Sequence, residues 1–265
     1  CMSHEQFNEL DKDEEYEVMI DSSFEDGELN YGEKVVGDEK HKNYIVTTYP
    51  CHPSLANDNL SGIILTTYLT QFIKSLKNRY WSYRIIFIPE TIGAIAYCKV
   101  NEKKIKDVLF ALMVNNVGGP GKISFKESFN SDHFINDLIK QVLNENQIKA
   151  KKYKFDIHGS DERQFSSQFF NINSASIHKD KYFEYKQYHT SADNLEFVKS
   201  KNLFKMLKLY QNLILKVENQ IIFKTSKTKC EPMLSKYSLY PTLGGENIPG
   251  KKINFLDSIL WLIFL

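Results

Sequence analysis

The chain has 265 residues, enough for one large α/β domain or two smaller ones. Apolar residues make up 42% of the sequence and charged residues 25%, which is the composition of an ordinary globular protein. The formal net charge of +1 provides no field that would draw the chain to nucleic acid or to an acidic membrane surface, so we expect neither as a partner.

The first predicted elements form a small β unit. The alternating run 16–20, the turn residues 25–27 and the run 29–36 predict two strands that form an appendage near the N-terminus. We place the end of this appendage at residue 38, where a polar stretch leads into the next domain.

Residues 39–228 alternate between strand and helix patterns. The predicted strands are 44–48, 83–88, 108–114 and 172–177, and the predicted helices are 61–77, 92–101, 131–146 and 194–217. This alternation predicts an α/β domain with a mostly parallel central sheet and helices on both faces.

The stretch 51–62, CHPSLANDNLSG, carries the strongest chemical signal. It places His52 and Asp58 between a predicted strand and a predicted helix, and α/β folds put their chemistry at such strand ends. Imidazole and carboxylate groups hold Zn²⁺ while leaving a position open for water. Two later segments, PETIG with Glu90 and YHTSADN with His189, fit the same site.

These segments resemble the zinc-dependent aminopeptidase superfamily. They are most similar to an aminopeptidase-like bacterial family that is often encoded near surface-polysaccharide genes. The matching segments are 51–62, 87–93, 159–165 and 188–195, with a further match at 230–232 and 240–245. In that family the chain starts earlier and continues into a winged-helix-like domain. We therefore expect this chain to be truncated at both ends, with 229–265 leading to a further domain.

The resemblance implies a role for each matching residue. His52 and His189 match the histidine ligands of the two zinc ions in the superfamily, Asp58 matches the bridging aspartate, and Glu90 matches the general base. Asp161 and Asp193 match motif acids of the outer shell that orient the ligands, although simple loop capping is an alternative for both.

Two acidic ligands of the superfamily are missing. Thr91 stands where the second glutamate of a Glu-Glu pair would lie, and the segment 114–118, VNNVG, has no carboxylate. Two divalent cations would be poorly neutralised by the remaining acids. We therefore predict one Zn²⁺ per chain, held by His52, Asp58 and His189 with a fourth position for water.

Simpler interpretations stay open for each residue. The two histidines could be ordinary loop residues, Asp58 could only cap the next helix, and Glu90 could only complement the dipole of a first helical turn. Cys51, beside His52, is either a soft metal ligand or a small buried residue, and the superfamily favours the second.

We predict a zinc hydrolase of an amide-type bond, acting on a small molecule or peptide. The bond could lie in a peptide or join an acyl or aminoacyl group to a sugar precursor. The alternative is a catalytically weakened metal-binding scaffold that recognises a ligand or partner. Four scattered cysteines indicate a reducing cytoplasm. The apolar run 255–265 is too short to span a membrane and predicts a domain contact or self-association.

Overall fold

In the computed structural model, which describes residues 2–38, 43–220 and 236, seven strands form one sheet. The strands are β1 (Gly32–Val36), β2 (Asn43–Thr48), β3 (Ser82–Phe87), β4 (Phe110–Met113), β5 (Ser124–Lys126), β6 (Lys151–Tyr153) and β7 (Asn173–His178). Their order is β1-β3-β2-β4-β7-β5-β6. Four of the six pairings are parallel, and only β1 with β3 and β5 with β7 are antiparallel. The predicted mostly parallel sheet is confirmed.

Helices cover both faces of the sheet, as expected. In the described part of the chain they are α1 (His4–Glu9), α2 (Ser61–Ser75), α3 (Ile92–Ile105), α4 (Phe134–Glu145), α5 (Glu162–Phe165) and α6 (Ser200–Glu218). A π-helical turn, Ala56–Leu60, leads into α2. The core on one face contains residues of α2, α4 and α6, whereas the core on the other contains residues of α3 and α5.

The alternation of side chains along the strands explains the two cores. In β2, Tyr44 and Val46 point into the first core and Ile45 points into the second. Since successive side chains of a strand point to opposite faces, a strand covered on both sides has no exposed residue. All six residues of β2 are buried, which is why its sequence is uninterrupted by charge.

The N-terminal β unit differs from the prediction. Residues 16–20 form no strand, and Val18, Met19 and Ile20 are exposed. The second run forms a strand only from Gly32, and this strand joins the main sheet as its edge, antiparallel to β3. Local alternation predicts a strand but cannot supply a neighbouring strand to pair with, and residues 16–20 have no neighbouring strand among the described residues.

Two helices begin later than predicted. Helix α4 starts at Phe134 and not at residue 131, and the side chain of His133 accepts its capping hydrogen bond. Helix α6 starts at Ser200, because residues 194–199 form turns around the site described below.

The described residues 2–38 and 43–219 belong to one compact unit. The predicted boundary at 228, the segments 230–232 and 240–245, and the apolar run 255–265 lie outside the described residues and stay predictions. Among the residues that the structure does describe, no helix combines the length and the apolar character needed to cross a bilayer.

The strand connections create a crevice at one edge of the sheet. After β2 the chain crosses to α2 on one face, and after the neighbouring β3 it crosses to α3 on the other. Where the connections of adjacent parallel strands diverge in this way, the carboxyl ends of the strands leave a space for a ligand.

Candidate metal centre

The three predicted metal ligands meet at this crevice. His52 lies in the loop after β2, Asp58 in the π-helical turn, and His189 in the loop after β7. One ligand atom from each lies within 4.8 Å of the other two. His189 Nε2 is 3.0 Å from Asp58 Oδ2, and the centroids of the two imidazole rings are 5.0 Å apart. Two imidazoles and a carboxylate at this spacing fit one zinc ion.

Asp58 is buried and is held from two sides. The Tyr49 hydroxyl donates a hydrogen bond to Asp58 Oδ1 at 2.6 Å, which leaves Oδ2 directed at His189. The Asp193 carboxylate accepts the backbone N–H groups of Asn57 and Asp58, at 2.5 and 3.0 Å. Asp58 makes no cap for α2, which begins after Leu60 without a side-chain capping bond. The geometry therefore favours the ligand interpretation over simple capping.

Asn57 connects the same turn to the loop after β4. Its Oδ1 accepts the backbone N–H groups of Gly118 and Gly119, at 2.8 and 3.0 Å. Together with Asp193, Asn57 fixes the turn that presents Asp58 to the crevice.

His189 is the most exposed of the three ligands, with 48% of its side chain accessible. Its φ of 54° lies in the left-handed region, which is unfavourable for a residue with a Cβ. The Tyr188 ring stacks on the imidazole with centroids 3.9 Å apart and planes 13° from parallel. Backbone strain that is held in place by such packing is typical of functional sites.

Glu90 lies beside this group, in the loop between β3 and α3. Its Oε2 is 3.7 Å from His52 Nε2. Glu90 precedes the first residue of α3, Ile92, so it is not an acid of the first helical turn. Partial burial raises the pKa of the Glu90 carboxyl, although the Ser160 hydroxyl and His52 oppose this change.

Asp161 holds the backbone next to Glu90. It is fully buried, and its Oδ1 accepts the N–H of Thr91 at 2.6 Å, where Thr91 has a left-handed φ of 61°. Burial raises the pKa of the Asp161 carboxyl to about 8. The predicted outer-shell residues Asp161 and Asp193 thus contact the backbone at Glu90 and at Asp58 respectively.

Cys51 is not the small buried residue that we expected. It is exposed, its Sγ lies 3.5 Å from His52 Nδ1, and it accepts the backbone N–H of Glu90 at 3.1 Å. The contact with Cys51 is the largest cause that raises the pKa of the His52 imidazole to about 9, while partial burial lowers it.

The two positions that lack a carboxylate differ in their hydrogen bonding. The backbone N–H of Thr91 donates a hydrogen bond to the Asp161 carboxylate. Asn115 is buried, and neither its amide nitrogen nor its amide oxygen has a hydrogen-bond partner in the described part of the chain.

Sequence reasoning did not assign a role to Tyr49, Tyr188 or Ser160. In the sequence, Tyr49 is the last residue of an apolar strand pattern. Only the presence of a hydroxyl group at the end of a strand indicates that it belongs to a site. The other two lie in segments that match the family but have no ligand chemistry of their own.

An open cavity of about 450 Å³ borders the metal centre. It is lined by Tyr49, Pro50, His52, Pro53, Ser54, Leu55, Ala56, Asn59, Leu60, Ile63, Asn194 and Leu195. None of these described lining residues is a carboxylate, lysine or arginine, so the cavity suits an uncharged, partly apolar group.

The sheet, its helices and the ligands at the strand ends define a protein of the zinc-aminopeptidase fold. The chain belongs to the family described as a domain of unknown function, DUF4910, whose sequence profile matches residues 14–220.

Three relatives place this family among known proteins. A Clostridium acetobutylicum protein, named for polysaccharide biosynthesis and for an aminopeptidase-like domain, is 39% identical over 244 residues, covering 92% of this chain and 56% of its own length. A crystal structure named as a peptidase, from the same organism, has a TM-score of 0.74 at 37% identity and covers 90% of this chain and 57% of the other. A zinc aminopeptidase from Bacillus subtilis shares the fold, with a TM-score of 0.60 at 18% identity over 75% of this chain and 51% of its own. The chain thus spans a little over half the length of the two Clostridium relatives.

Proposed function

We propose that this domain is a zinc-dependent hydrolase of an amide-type bond, with Glu90 as its general base. The observation that carries the proposal is the position of the Glu90 carboxylate, 3.7 Å from His52, beside a group of two imidazoles and a carboxylate that can share one ion. A base placed next to a metal position is the arrangement that metal-assisted hydrolysis requires.

A bound zinc ion would act as a Lewis acid toward the scissile carbonyl and lower the pKa of a water molecule. His52, Asp58 and His189 would hold the ion, and the Tyr49 hydrogen bond leaves one Asp58 oxygen free for it. Glu90 takes a proton from the attacking water and passes it to the leaving nitrogen. Partial burial raises the pKa of the Glu90 carboxyl, which favours its taking up this proton.

We propose one ion at a time. Within residues 2–38 and 43–220, both groups of side chains that are close enough to share a metal contain His52. Thr91 and Asn115 supply no further negative charge, so a second divalent cation would be poorly neutralised.

The adjoining cavity supports a proposal about the substrate. Its mostly apolar described lining favours the apolar part of a peptide, or of an acyl or aminoacyl group. The name of the Clostridium relative, which refers to polysaccharide biosynthesis, supports a sugar precursor as the carrier of this group. We propose that the reaction takes place in the cytoplasm. We expect a small molecule or a peptide as the partner, and no nucleic acid.

The test is Glu90→Gln, which keeps the size and hydrogen bonding of the side chain but removes the base. On a panel of aminoacyl and acyl amides, turnover should fall by roughly 10²- to 10⁴-fold while zinc content is unchanged. Glu145→Gln, on the exposed face of α4, is the matched control and should keep full turnover.

The alternative function is a metal-binding scaffold, favoured by the loss of two acidic ligands at Thr91 and Asn115. If wild type and Glu90→Gln hold zinc, bind a ligand equally and hydrolyse nothing, the scaffold replaces the hydrolase.

A further inference from the structure

Cys51, His52 and Glu90 form a second group of possible metal ligands. Cys51 Sγ, one ring nitrogen of His52 and one carboxylate oxygen of Glu90 all lie within 4.8 Å of one another. This group shares His52 with the proposed catalytic ligands but contains neither Asp58 nor His189.

The separation of Cys51 and His52 is that of two ligands around one ion. In a tetrahedral site with Zn–S of about 2.3 Å and Zn–N of about 2.0–2.1 Å, sulfur and nitrogen lie about 3.5–3.6 Å apart. Cys51 Sγ is 3.5 Å from His52 Nδ1. Glu90 Oε2 lies nearer the other ring nitrogen, 3.7 Å from His52 Nε2, which is too long for a hydrogen bond between the two side chains. An imidazole gives one nitrogen to an ion, and one His52 nitrogen lies within 4.8 Å of both the sulfur and a Glu90 oxygen.

The sulfur is also held in place and open to solvent. The backbone N–H of Glu90 donates to Cys51 Sγ at 3.1 Å, which directs the sulfur toward the crevice. Cys51 is exposed, so an ion can reach it without any rearrangement of the core.

We propose that Cys51, His52 and Glu90 form a second position for the single ion, and that this position takes soft divalent cations such as Zn²⁺ and Cd²⁺. Thiolate ligands select such cations, while the His52, Asp58 and His189 position has only nitrogen and oxygen donors. Since both positions use His52, they are alternatives for one ion.

The consequence for activity rests on the proposed function. An ion at the thiolate position takes Glu90 as a ligand, and a carboxylate bound in this way no longer serves as the base. The thiolate position is then a resting state of the hydrolase, and Cys51 is the residue that stabilises it.

The test uses the 265-residue chain, freed of metal and reloaded with Co²⁺, because a cobalt–thiolate bond gives a charge-transfer band in the near ultraviolet. His189→Ala confines the ion to the thiolate position, so this variant should bind Co²⁺ and show the band. Adding Cys51→Ser should remove the band, whereas adding Cys98→Ser should not, because Cys98 is buried on α3.

Cd²⁺ binding gives a second measurement on the protein with both positions intact. Cys51→Ser should weaken Cd²⁺ binding by at least about 10-fold, the lower end of what loss of even an outer-shell partner costs. Cys98→Ser should leave it unchanged.

The proposal is overturned if His189→Ala binds no Co²⁺ or binds it without the band. A band that survives Cys51→Ser overturns it as well, and so does unchanged Cd²⁺ affinity in that variant. These results concern the ligands alone, so they are distinguishable from a failure of the hydrolase, which the Glu90→Gln assay reports.

Discussion

At the scale of single residues, the crevice concentrates buried carboxyl groups. Asp58, Asp161 and Asp193 are each no more than 1% exposed. Burial, followed by the nearby Asp58 charge, raises the pKa of the Tyr49 hydroxyl, and the same two causes act on the Asp193 carboxyl. A folded protein keeps such a cluster only when something offsets its desolvation. Backbone N–H donors do so for Asp193, and a cation would do so for Asp58.

The free energy that is lost when a carboxylate is buried in this crevice can be measured at Asp161. Its pKa is about 8 in the folded protein against an ordinary 3.8, so the folded state keeps a proton that the unfolded chain releases. Stability is therefore lost as pH rises from about 4 to 8. Asp161→Asn is neutral at every pH and can still accept the Thr91 N–H. We expect this variant to be more stable than wild type by about 1–3 kcal/mol at pH 8, and the difference to vanish near pH 4.

Thermal unfolding of the metal-free protein at several pH values measures this difference. Asp132→Asn, at an exposed position, is the control and should follow wild type. If the stability of wild type and of Asp161→Asn changes equally with pH, the Asp161 carboxyl stays ionised in the folded protein and the prediction is wrong.

Sequence motifs predicted which side chains meet in the crevice better than they predicted the surroundings of those side chains. His52, Asp58 and His189 lie close together as expected, because their motifs follow strands whose carboxyl ends share one edge of the sheet. Their role as metal ligands stays a prediction. Tyr49 and the exposed thiol of Cys51 were missed because their roles depend on side-chain direction, which neither hydrophobicity nor spacing records.

At the scale of elements, prediction succeeded where a strand or helix is buried along its whole length. Strands β2, β3, β4 and β7 were predicted to within two residues at each end, and nearly all of their residues are buried. Strands β5 and β6 have three residues each, too few to show a period, and they exist because they extend the edge beyond β7. Tertiary contacts decide such short elements.

Strand β7 carries a second titratable group inside the core. His178 is fully buried, with Ser176 Oγ 2.7 Å from its Nε2 and the Asn115 carbonyl 3.4 Å from its Nδ1. Burial lowers the pKa of His178 to about 3.

Because the unfolded chain binds this proton with an ordinary pKa near 6.5, stability is lost as pH falls from about 6.5 toward 3. The loss between pH 7 and pH 5 should be about 2 kcal/mol. We expect His178→Gln to be less sensitive to acid over this interval, whatever its stability at pH 7. Denaturant unfolding at both pH values measures this, with His158→Gln at an exposed position as the control. An equal loss in wild type and His178→Gln would contradict the prediction.

At the scale of the whole molecule, the fold class and the position of the crevice followed from the alternation of strands and helices. The N-terminal residues did not, because residues 16–20 alternate in polarity without a neighbouring strand to pair with. Whether a segment becomes an edge strand is therefore decided by the sheet beside it and not by its own sequence.

Zinc should bind in a ratio of one per chain and should stabilise the whole domain, because it binds the folded crevice and not the unfolded chain. His52→Ala removes a ligand from both proposed positions, so it should lose zinc on dialysis. His133→Ala, at the start of α4, should keep it. Elemental analysis checks the ratio, and chelation should lower the melting temperature of wild type and of His133→Ala but not of His52→Ala. Two tightly held ions per chain would contradict the prediction.

The long sequence separation between the parts of the crevice has a consequence for the order of folding. Asp58 and His189 are 131 residues apart, and the bonds from Asp193 to the Asn57–Asp58 backbone close loops of similar length. Contacts between residues so far apart in the sequence form late, after strand pairing has brought the two residues closer together. A growing chain therefore cannot complete the proposed ligand set until residue 189 has left the ribosome. Metal binding during synthesis should therefore occur only after residue 189 has been made and the sheet has formed.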